Sequence, residues 1–468
     1  MNGSNAVLDS RSLGGAKALS YLTLLALVLG GGLAVACIWP SDAEWYWLCI
    51  TGVTLISIIV TLIKNYIISR RNIFSPWICF PIAYLVWFAI GSVNFLDIPS
   101  SISFGAFDPI PAKMWVYYLI GLIGYFVGVM VCPRNGSSRR VPPLVWDMVR
   151  FKVVVGFMAL AAFCSFLWIV SDLGIPVLSV TAGLDRSGVG RHGPTLAIML
   201  SGSWTVILFL LIYLWRMGPR SWPKFVAVSG VVVTSTILLS FGGRTWLFEA
   251  ALTAIILRHY LYKRYKLRTL AIAATLVFVG IGVYGYVRDT SLVEALRGGV
   301  GQSFLAKAGI PSGVVPFAYG YLYVRYPVAT FRDVVTVVPS QVPYQYGRLT
   351  FQPFDTLLPG RHTSSDYFFK EILGSEFIGA GQPATLLGTF YGDFGVGGIF
   401  VGMLLYGLLL AKTYRWALRS GSAFCHLTYA WVLHAGLFGL FITVFPYLTT
   451  LWMPLMWWGL DDFVSTKG

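Results

Sequence analysis

The sequence predicts an all-α polytopic membrane protein with about 12 transmembrane helices. Three observations lead to this fold class. Of the 468 residues, 57% are hydrophobic and only 11% are charged, whereas a soluble domain carries about 25% charged residues. Apolar runs of about 20 residues, long enough to cross a bilayer, recur along the chain. The 17 Trp, 25 Tyr and 32 Phe are typical of the aromatic belts at membrane interfaces.

We predict one continuous membrane domain over residues 1–468. Its spans, in chain order, are 18–39, 45–63, 74–96, 114–132, 153–171, 195–215, 225–241, 245–257, 269–286, 385–411, 423–444 and 449–463. The eighth span is short for the hydrocarbon thickness, which indicates a tilt or an extension to Tyr262. Two connections are long and are predicted to be external: a smaller loop at 172–194 and a large loop at 287–382. Because a structureless loop of the second length would be unusual, we expect short interfacial or re-entrant helices in it that cap the bundle.

The basic residues predict the orientation. There are 34 Lys and Arg against 19 Asp and Glu, and short cytoplasmic loops normally collect the Lys and Arg. Most of them lie at the termini and in alternate connections, which predicts that both termini are cytoplasmic. The remaining basic residues fall on the external side: Lys113, Arg186, Arg191, Arg244, Arg288, Arg297, Lys307, Arg325, Arg332, Arg348, Arg361 and Lys370.

These external basic residues are mostly arginines, the residue suited to bidentate capture of phosphate. A long loop crosses the membrane regardless of its charge, but this does not explain Arg244, which lies in a turn of a few residues between two spans. We therefore expect an anionic, phosphate-bearing substrate at the outer face. Most of the net charge of +15 lies in cytoplasmic loops that face anionic headgroups, so it does not indicate a nucleic-acid partner.

The turn that ends in Arg244 is the most specific of the short motifs. Gly242 and Gly243 let the backbone turn tightly and let a ligand come close. An arginine at the start of a helix adds its charge to the end of the helix dipole that favours anions. The alternative is an interfacial arginine whose side chain reaches the lipid headgroups.

Three other external arginines also have both a functional and a simpler structural explanation. Arg186 and Arg191 flank a glycine-rich loop that could wrap a diphosphate, although a solvated loop explains them equally well. Arg288 leaves the ninth span beside Asp289, and a local ion pair is the simpler explanation.

Two further motifs carry titratable groups. A Pro-Gly turn precedes Arg361 and His362; an imidazole is suited to proton transfer near neutral pH, and a plain surface turn is the alternative. Asp393 would lie about two turns inside the tenth span by helix rise. An intramembrane carboxylate is a functional hypothesis by default, and we expect this one to face a polar cavity.

No metal or cofactor is predicted. The six cysteines include no CxxC pair, and no carboxylate or HxxxH spacing supports a metal site around His259, His426 or His434. The glycine patterns at 188–193 and 280–285 follow no strand of a βαβ unit, which argues against a dinucleotide site. The GxxxG spacing of Gly398 and Gly402 predicts close helix packing.

Four short motifs follow one another along the chain. They are the Gly-Gly-Arg turn at Arg244, Phe331-Arg332-Asp333, Leu358-Pro359-Gly360-Arg361, and the Pro-x-Thr-Leu-x-Gly and Phe-Gly-x-x-Gly stretch at 383–398. In this order they resemble the Wzy-type polysaccharide polymerases, especially the branch that polymerises enterobacterial common antigen. The resemblance covers roughly residues 180–412.

The resemblance implies a membrane-embedded glycosyltransferase of the C class, related in fold to the O-antigen ligases, which needs neither a nucleotide sugar nor a metal. Such an enzyme joins repeat units carried on undecaprenyl diphosphate at the periplasmic face of the bacterial inner membrane. The growing chain leaves its lipid diphosphate and passes to a sugar hydroxyl of an incoming lipid-linked unit. Membrane lipids, chain-length regulators and flippase proteins are the partners that it implies.

The resemblance also implies roles for single residues. Arg244 and Arg361 would bind the diphosphate, and the remaining candidates for this role are Arg186, Arg191, Arg288 and Arg332. His362 is the first candidate for the general base, with Asp366 and Glu376 as alternatives, although the common-antigen branch would have Pro at position 362. The candidates for contact with the glycan are Tyr344, Tyr346, Tyr367 and Asp393.

Two other functions remain open from the sequence. A ligase of the same fold would pass the chain to lipid A core or to a protein. A transporter or flippase for the same lipid-linked sugars would place charges near the membrane midplane and show inverted repeats or broken helices. The sequence shows cations at one face and no visible repeat, which favours the polymerase.

Overall fold

A computed structural model describes part of the chain. The described residues are 72–95, 109–111, 113–132, 145–173, 207, 224–240, 244–261, 264–297, 310–311, 313–351, 384–420, 423–441 and 448–466. These residues are helical, apart from short turns and one antiparallel pairing of two-residue strands. The pairing joins β1 (Val145–Trp146) to β2 (Ser465–Thr466).

Ten helices lie within the described ranges. They are α1 (Cys79–Ser92), α2 (Lys113–Val131), α3 (Met148–Leu173), α4 (Lys224–Ser240), α5 (Arg244–Leu261), α6 (Leu267–Arg297), α7 (Val315–Val337), α8 (Leu386–Ser420), α9 (Ala423–Gly439) and α10 (Leu448–Val464).

Three of these helices contain stretches that are long and apolar enough to cross a membrane: Lys113–Val131, Val149–Trp168 and Leu386–Arg419. Helix α3 is an example of a helix that is apolar on both its exposed and its buried face. Its exposed face carries Val153, Phe157 and Leu160, and its buried face carries Val155 and Met158. A helix that is apolar on both faces is suited to protein on one side and lipid on the other. The chain is therefore a helical protein with membrane-like helices.

The predicted spans agree with the helices in position. Every predicted span that falls on described residues coincides with a helix, whereas 18–39, 45–63 and, except for Ile207, 195–215 lie outside them. Helix α5 ends at Leu261, so the extension proposed for the short eighth span is present.

The region of the large loop predicted at 287–382 contains more helix than we expected. Helix α6 continues past the predicted end of the ninth span to Arg297. Within the predicted loop lies α7, a helix of 23 residues, where we expected only short capping helices. Hydropathy misses α7 because Arg325, Arg332 and Pro327 interrupt its apolar residues, yet all three are buried. Helix α7 packs against α1, α6 and α8 and so forms part of the bundle.

Helices α2 and α8 pack closely against each other. A Cβ atom on Gly124 would lie 2.5 Å from the Phe400 carbonyl oxygen, and one on Gly128 would collide with the Leu404 carbonyl. On α8, a Cβ atom on Gly407 would collide with the backbone of α2. Small residues of this kind let two helix backbones approach closely, which gives dispersion contacts that do not depend on water.

One end of the bundle is marked by Asn72 and is called the Asn72 end below. The Asn72 amide donates to the Tyr414 hydroxyl at 3.0 Å, and its oxygen lies 3.2 Å from His259 Nε2 and 3.2 Å from the Tyr260 hydroxyl. These bonds bring the end of α5 and the distal part of α8 to the start of α1. The opposite end, where α1 terminates and Arg325 of α7 meets it, is called the Arg325 end.

Helix α8 is two arms that meet at a sharp reversal. Phe394 (φ −141°) and Gly395 (φ +65°) are not helical. In a continuous helix, Phe390 and Gly398 would be about 12 Å apart along the axis, but here a Cβ atom on Gly398 would collide with the Phe390 carbonyl oxygen. The arm 386–393 therefore rises toward the Arg325 end and 396–420 runs back toward the Asn72 end.

The reversal changes two expectations. Gly398 and Gly402 do give close packing, as predicted, and their partner is Phe390 of the preceding arm. Asp393, which we expected about two turns inside a continuous span, lies beside the reversal at the tip of the two arms. The physical reason is the left-handed backbone of Gly395, a conformation that glycine adopts without steric cost.

Replacing Gly395 with Ala is expected to lower the free energy of unfolding by about 1–3 kcal/mol, because a Cβ atom makes a positive φ sterically unfavourable. The added Cβ atom would also lie 2.8 Å from the Tyr344 hydroxyl oxygen. Thermal unfolding of the purified protein in detergent measures the change. Gly397→Ala is the matched control, since a Cβ atom there meets nothing within 4 Å. Equal unfolding midpoints for the two variants would contradict the prediction.

Candidate functional site

Two buried arginines of α7 form the centre of the candidate site. Arg325 is 0% exposed and Arg332 is 8% exposed. They are seven residues apart, about two helical turns, so they lie on the same face of α7. Arginine is almost never fully buried unless its charge and its donors are paired. The surroundings of each guanidinium therefore decide what this pair can do.

Arg325 is held by the C-terminal end of α1. Its Nη1 donates to the Gly91 carbonyl oxygen at 2.6 Å, and one turn earlier on α7 the Tyr321 hydroxyl donates to the Val93 carbonyl at 2.5 Å. The last carbonyls of a helix lack helical partners and form the negative end of its dipole. The end of α1 therefore stabilises the buried positive charge of Arg325.

Arg332 is held by its neighbour in the chain. Its Nε donates to Asp333 Oδ1 at 2.8 Å, and its Nη2 lies 2.6 Å from the same oxygen. Phe331, the third member of this motif, is fully buried and packs against the rings of Tyr118 and Tyr391. The Phe-Arg-Asp sequence thus combines a core anchor with an oriented guanidinium.

The two arginines lie in the neighbourhood of one phenol. Both are within electrostatic range of the Tyr118 side chain of α2. The Tyr118 carbonyl accepts a hydrogen bond of 2.7 Å from Tyr84, which fixes this part of α2 against α1. Each guanidinium has five N–H donors in a rigid fork. Arg325, Arg332 and Tyr118 together can supply charge and several donors to an anion.

A layer of tyrosines connects this arginine pair to the tip of α8. The Tyr391 ring lies 5.7 Å from that of Tyr117 and 6.3 Å from that of Tyr344. Tyr344 is half-buried, whereas Tyr346, two residues further, is 76% exposed. The predicted contact residues Tyr344 and Tyr346 therefore lie at the same end of the bundle as the arginines. Aromatic faces of this kind can stack on sugar rings.

Asp393 has an environment that the sequence did not predict. The residue is fully buried, and its two carboxylate oxygens accept hydrogen bonds from the Leu349 N–H at 3.0 Å and the Thr350 N–H at 2.8 Å. We expected a polar cavity around this carboxylate. The backbone of the segment after α7 occupies that place instead.

Arg244 is the first residue of α5, as its turn motif predicted. Because α5 ends at the Asn72 end and has 18 residues, its start lies about 27 Å from that end along the helix axis. Only the backbone of Arg244 is described. The same holds for Arg288, which lies within α6. Its place at the end of a membrane span stays a prediction.

The remaining predicted site residues lie outside the described part of the chain, and their roles stay predictions. They are Arg186, Arg191, Arg361, His362, Asp366, Tyr367 and Glu376. Conversely, Arg325 was counted among the external basic residues but was not selected as a site residue. The signal that could have found it is its spacing of seven residues from Arg332 in a stretch otherwise rich in apolar and aromatic residues.

Comparisons with known proteins found no match to this chain among family models, curated proteins or solved structures.

Arg332→Gln is expected to weaken the binding of inorganic pyrophosphate to the purified protein by about tenfold or more, since a charge-assisted bond contributes roughly 1.5–3 kcal/mol. The dissociation constant can be measured from the rise of the unfolding midpoint with ligand concentration at constant ionic strength. Arg268→Gln is the control, because Arg268 is exposed at the start of α6, near the Asn72 end. The prediction fails if both variants bind pyrophosphate as the wild type does.

Proposed function

We propose that the protein polymerises oligosaccharide repeat units carried on undecaprenyl diphosphate. In this proposal it is a multi-pass protein of the bacterial inner membrane with about 12 transmembrane helices, and its active site faces the periplasm. The observation that carries the proposal is the burial of Arg325 and Arg332, about two turns apart on one face of α7, at one end of a helical bundle. Oriented, desolvated guanidinium groups are suited to a diphosphate.

The distribution of charge in space supports the orientation. Basic residues that the sequence assigns to the cytoplasm cluster at the Asn72 end: Arg258 donates to the Tyr265 hydroxyl, and Arg415 donates to the Cys132 carbonyl at the end of α2. Arg325 and Arg332, assigned to the outside, lie at the other end. The arginines named here are thus separated in space in the same way as along the chain, which supports the proposed orientation.

The proposed reaction is a transfer between two lipid-linked glycans. The bond between the anomeric carbon of the growing chain and its diphosphate oxygen breaks, and a bond to the hydroxyl oxygen of the incoming unit forms. The hydroxyl proton passes to a base, for which His362 is the first candidate and Asp366 and Glu376 are the alternatives. Undecaprenyl diphosphate leaves with the electron pair of the broken bond.

The arginines would lower the barrier by stabilising the leaving group. Negative charge grows on the diphosphate as the bond breaks, and fixed cations in a site with little water stabilise such charge strongly. In the proposal, Arg244 and Arg361 contact the diphosphate directly, with Arg332 beside them. Arginine cations take the place that a divalent metal has in many phosphate sites, so no metal is required.

A transporter of the same lipid-linked sugars is the second candidate, and one observation favours it. Helix α8 is broken at Phe394 and Gly395, and broken helices often line the substrate sites of transporters. Against this, the buried arginines Arg325 and Arg332 lie at one end of the bundle. A transporter would hold its charges near the midplane. A ligase of the same fold would share the whole site and differ only in its acceptor.

The size of the surface polysaccharide tests the function. A deletion strain is complemented with the wild type, Arg244→Ala, or the control Arg268→Ala from the Asn72 end. We expect single repeat units in the deletion strain, and a ladder of lengths with the wild type and the control. Arg244→Ala should insert normally but give no ladder, because the leaving group loses a cation.

Each other outcome of this experiment identifies a rival. A ladder that persists in the deletion strain but no longer reaches its final acceptor indicates a ligase. Repeat units that fail to reach the outer face indicate a transporter. A full ladder with Arg244→Ala would remove Arg244 from the site.

Polymerisation in purified membranes is expected to continue at an unchanged rate in EDTA, since the arginines replace a metal. The rate of chain growth from lipid-linked units is measured with and without the chelator. Loss of activity in EDTA that magnesium or manganese restores would contradict the metal-free mechanism.

A further inference from the structure

The segment after α7 forms a tight turn at the tip of α8. Tyr346 (φ +49°) and Gly347 (φ +96°) both have left-handed backbone conformations. The turn is closed by hydrogen bonds from the Arg348 N–H to the Gln345 carbonyl at 3.1 Å and from the Phe351 N–H to the Gly347 carbonyl at 2.8 Å. It lies where the two arms of α8 reverse.

The tip of α8 holds this turn through its backbone. The Gln345 N–H donates to the Gly392 carbonyl at 2.9 Å, and the Tyr346 N–H donates to the Asp393 carbonyl at 3.1 Å. These two carbonyls directly precede the non-helical residues Phe394 and Gly395. A helix break leaves carbonyls that need other donors, and the turn supplies such donors here.

The Asp393 side chain completes the attachment on the far side of the turn. Its carboxylate accepts the N–H groups of Leu349 and Thr350, so four backbone donors of the segment 345–350 end on Gly392 and Asp393. A fully buried carboxylate is costly unless such bonds satisfy it. Asp393 is therefore committed to holding the segment, and it has a positioning role.

The turn exposes two side chains, those of Tyr346 and Arg348. Tyr346 is 76% exposed and gains little from packing, yet it occupies a left-handed conformation that bulky residues avoid. Arg348 is exposed and forms no ion pair with any described residue. Strain that the surroundings maintain is often a sign of function, and an aromatic face beside a guanidinium suits a sugar that carries a neighbouring anionic group.

We propose that Asp393 is a positioning residue that holds the turn 345–350 in place, so that Tyr346 and Arg348 contact the sugar and the anionic group of a lipid-linked glycan. The glycan as ligand rests on the proposed function. The attachment of the turn by Asp393 does not depend on it, and the two parts are tested separately.

Limited trypsin digestion of the purified protein tests the attachment. Trypsin cleaves the peptide bond after an arginine. The peptide bond after Arg348 includes the nitrogen of Leu349, whose N–H donates to the Asp393 carboxylate. In Asp393→Asn, the amide group offers a donor where two acceptors are needed. The turn should then open, and cleavage after Arg348 should become on the order of tenfold faster or more. Mass spectrometry of the fragment that begins at Leu349 gives the rate.

Asp147→Asn is the matched control. Asp147 accepts the N–H groups of Val149 and Arg150 at the start of α3 through one oxygen, Oδ1. The Asn side chain keeps that acceptor, so this variant makes the same substitution without removing a backbone bond. Cleavage after Arg348 at the wild-type rate in both variants would overturn the attachment. If Asp393→Asn does not fold, hydrogen exchange of the wild-type peptide 345–351 decides instead. Slow exchange is expected, and exchange as fast as in an unstructured peptide would overturn the proposal.

The contact with the glycan is tested by kinetics of chain growth. Tyr346→Ala and Arg348→Gln are each expected to raise the KM for the lipid-linked unit about tenfold while kcat changes little, because they remove binding in the ground and transition states alike. Tyr346→Phe, which keeps the ring, should retain most of the affinity. An unchanged KM in an active enzyme would refute the contact but leave the proposed function intact. Failure of the wild type to polymerise would refute the function but leave the trypsin result valid.

Discussion

The left-handed backbone of Gly395 is the constraint on which the Arg325 end of the molecule depends. It reverses α8, so that Phe390 packs against Gly398 and Gly402 of the same helix. The reversal brings the carbonyls and the carboxylate at 392–393 to the tip of the two arms. These acceptors bind the segment after α7. Because α7 carries the buried arginines, one backbone conformation helps to position both the arginine pair and the exposed turn.

The two buried guanidinium groups at the Arg325 end each need a partner that offsets the cost of burying their charge. An unpaired charge in a bundle would cost several kcal/mol, and the structure offsets that cost in two ways. The carbonyls at the end of α1 receive Arg325, and the adjacent carboxylate of Asp333 receives Arg332. Each arginine is thereby oriented before any ligand arrives. Orientation of this kind spares the reorganisation that an exposed, flexible arginine would undergo, which is why a fixed cation stabilises developing charge well.

The agreement between sequence and structure was best where one property extends over many residues. Long apolar runs predicted the helices from α1 to α10, with the exception of α7. The failure at α7 has a physical cause: hydropathy treats every arginine as exposed, and it cannot foresee that helix ends and a neighbouring carboxylate will satisfy Arg325 and Arg332. The start of α5 at Arg244 was predictable because two glycines precede it and mark the turn.

By itself, the sequence determined that the chain is helical with membrane-like helices, that its basic residues divide into two groups, and that Gly398 and Gly402 pack closely. These properties follow from composition and local spacing. Only the tertiary structure decided that α8 reverses, that α7 belongs to the bundle, and that Asp393 binds backbone rather than lining a cavity. The last two depend on contacts between residues about 40 or more positions apart, and local patterns carry no information about such contacts. The reversal depends on the conformation of one glycine among many, which composition and spacing do not reveal.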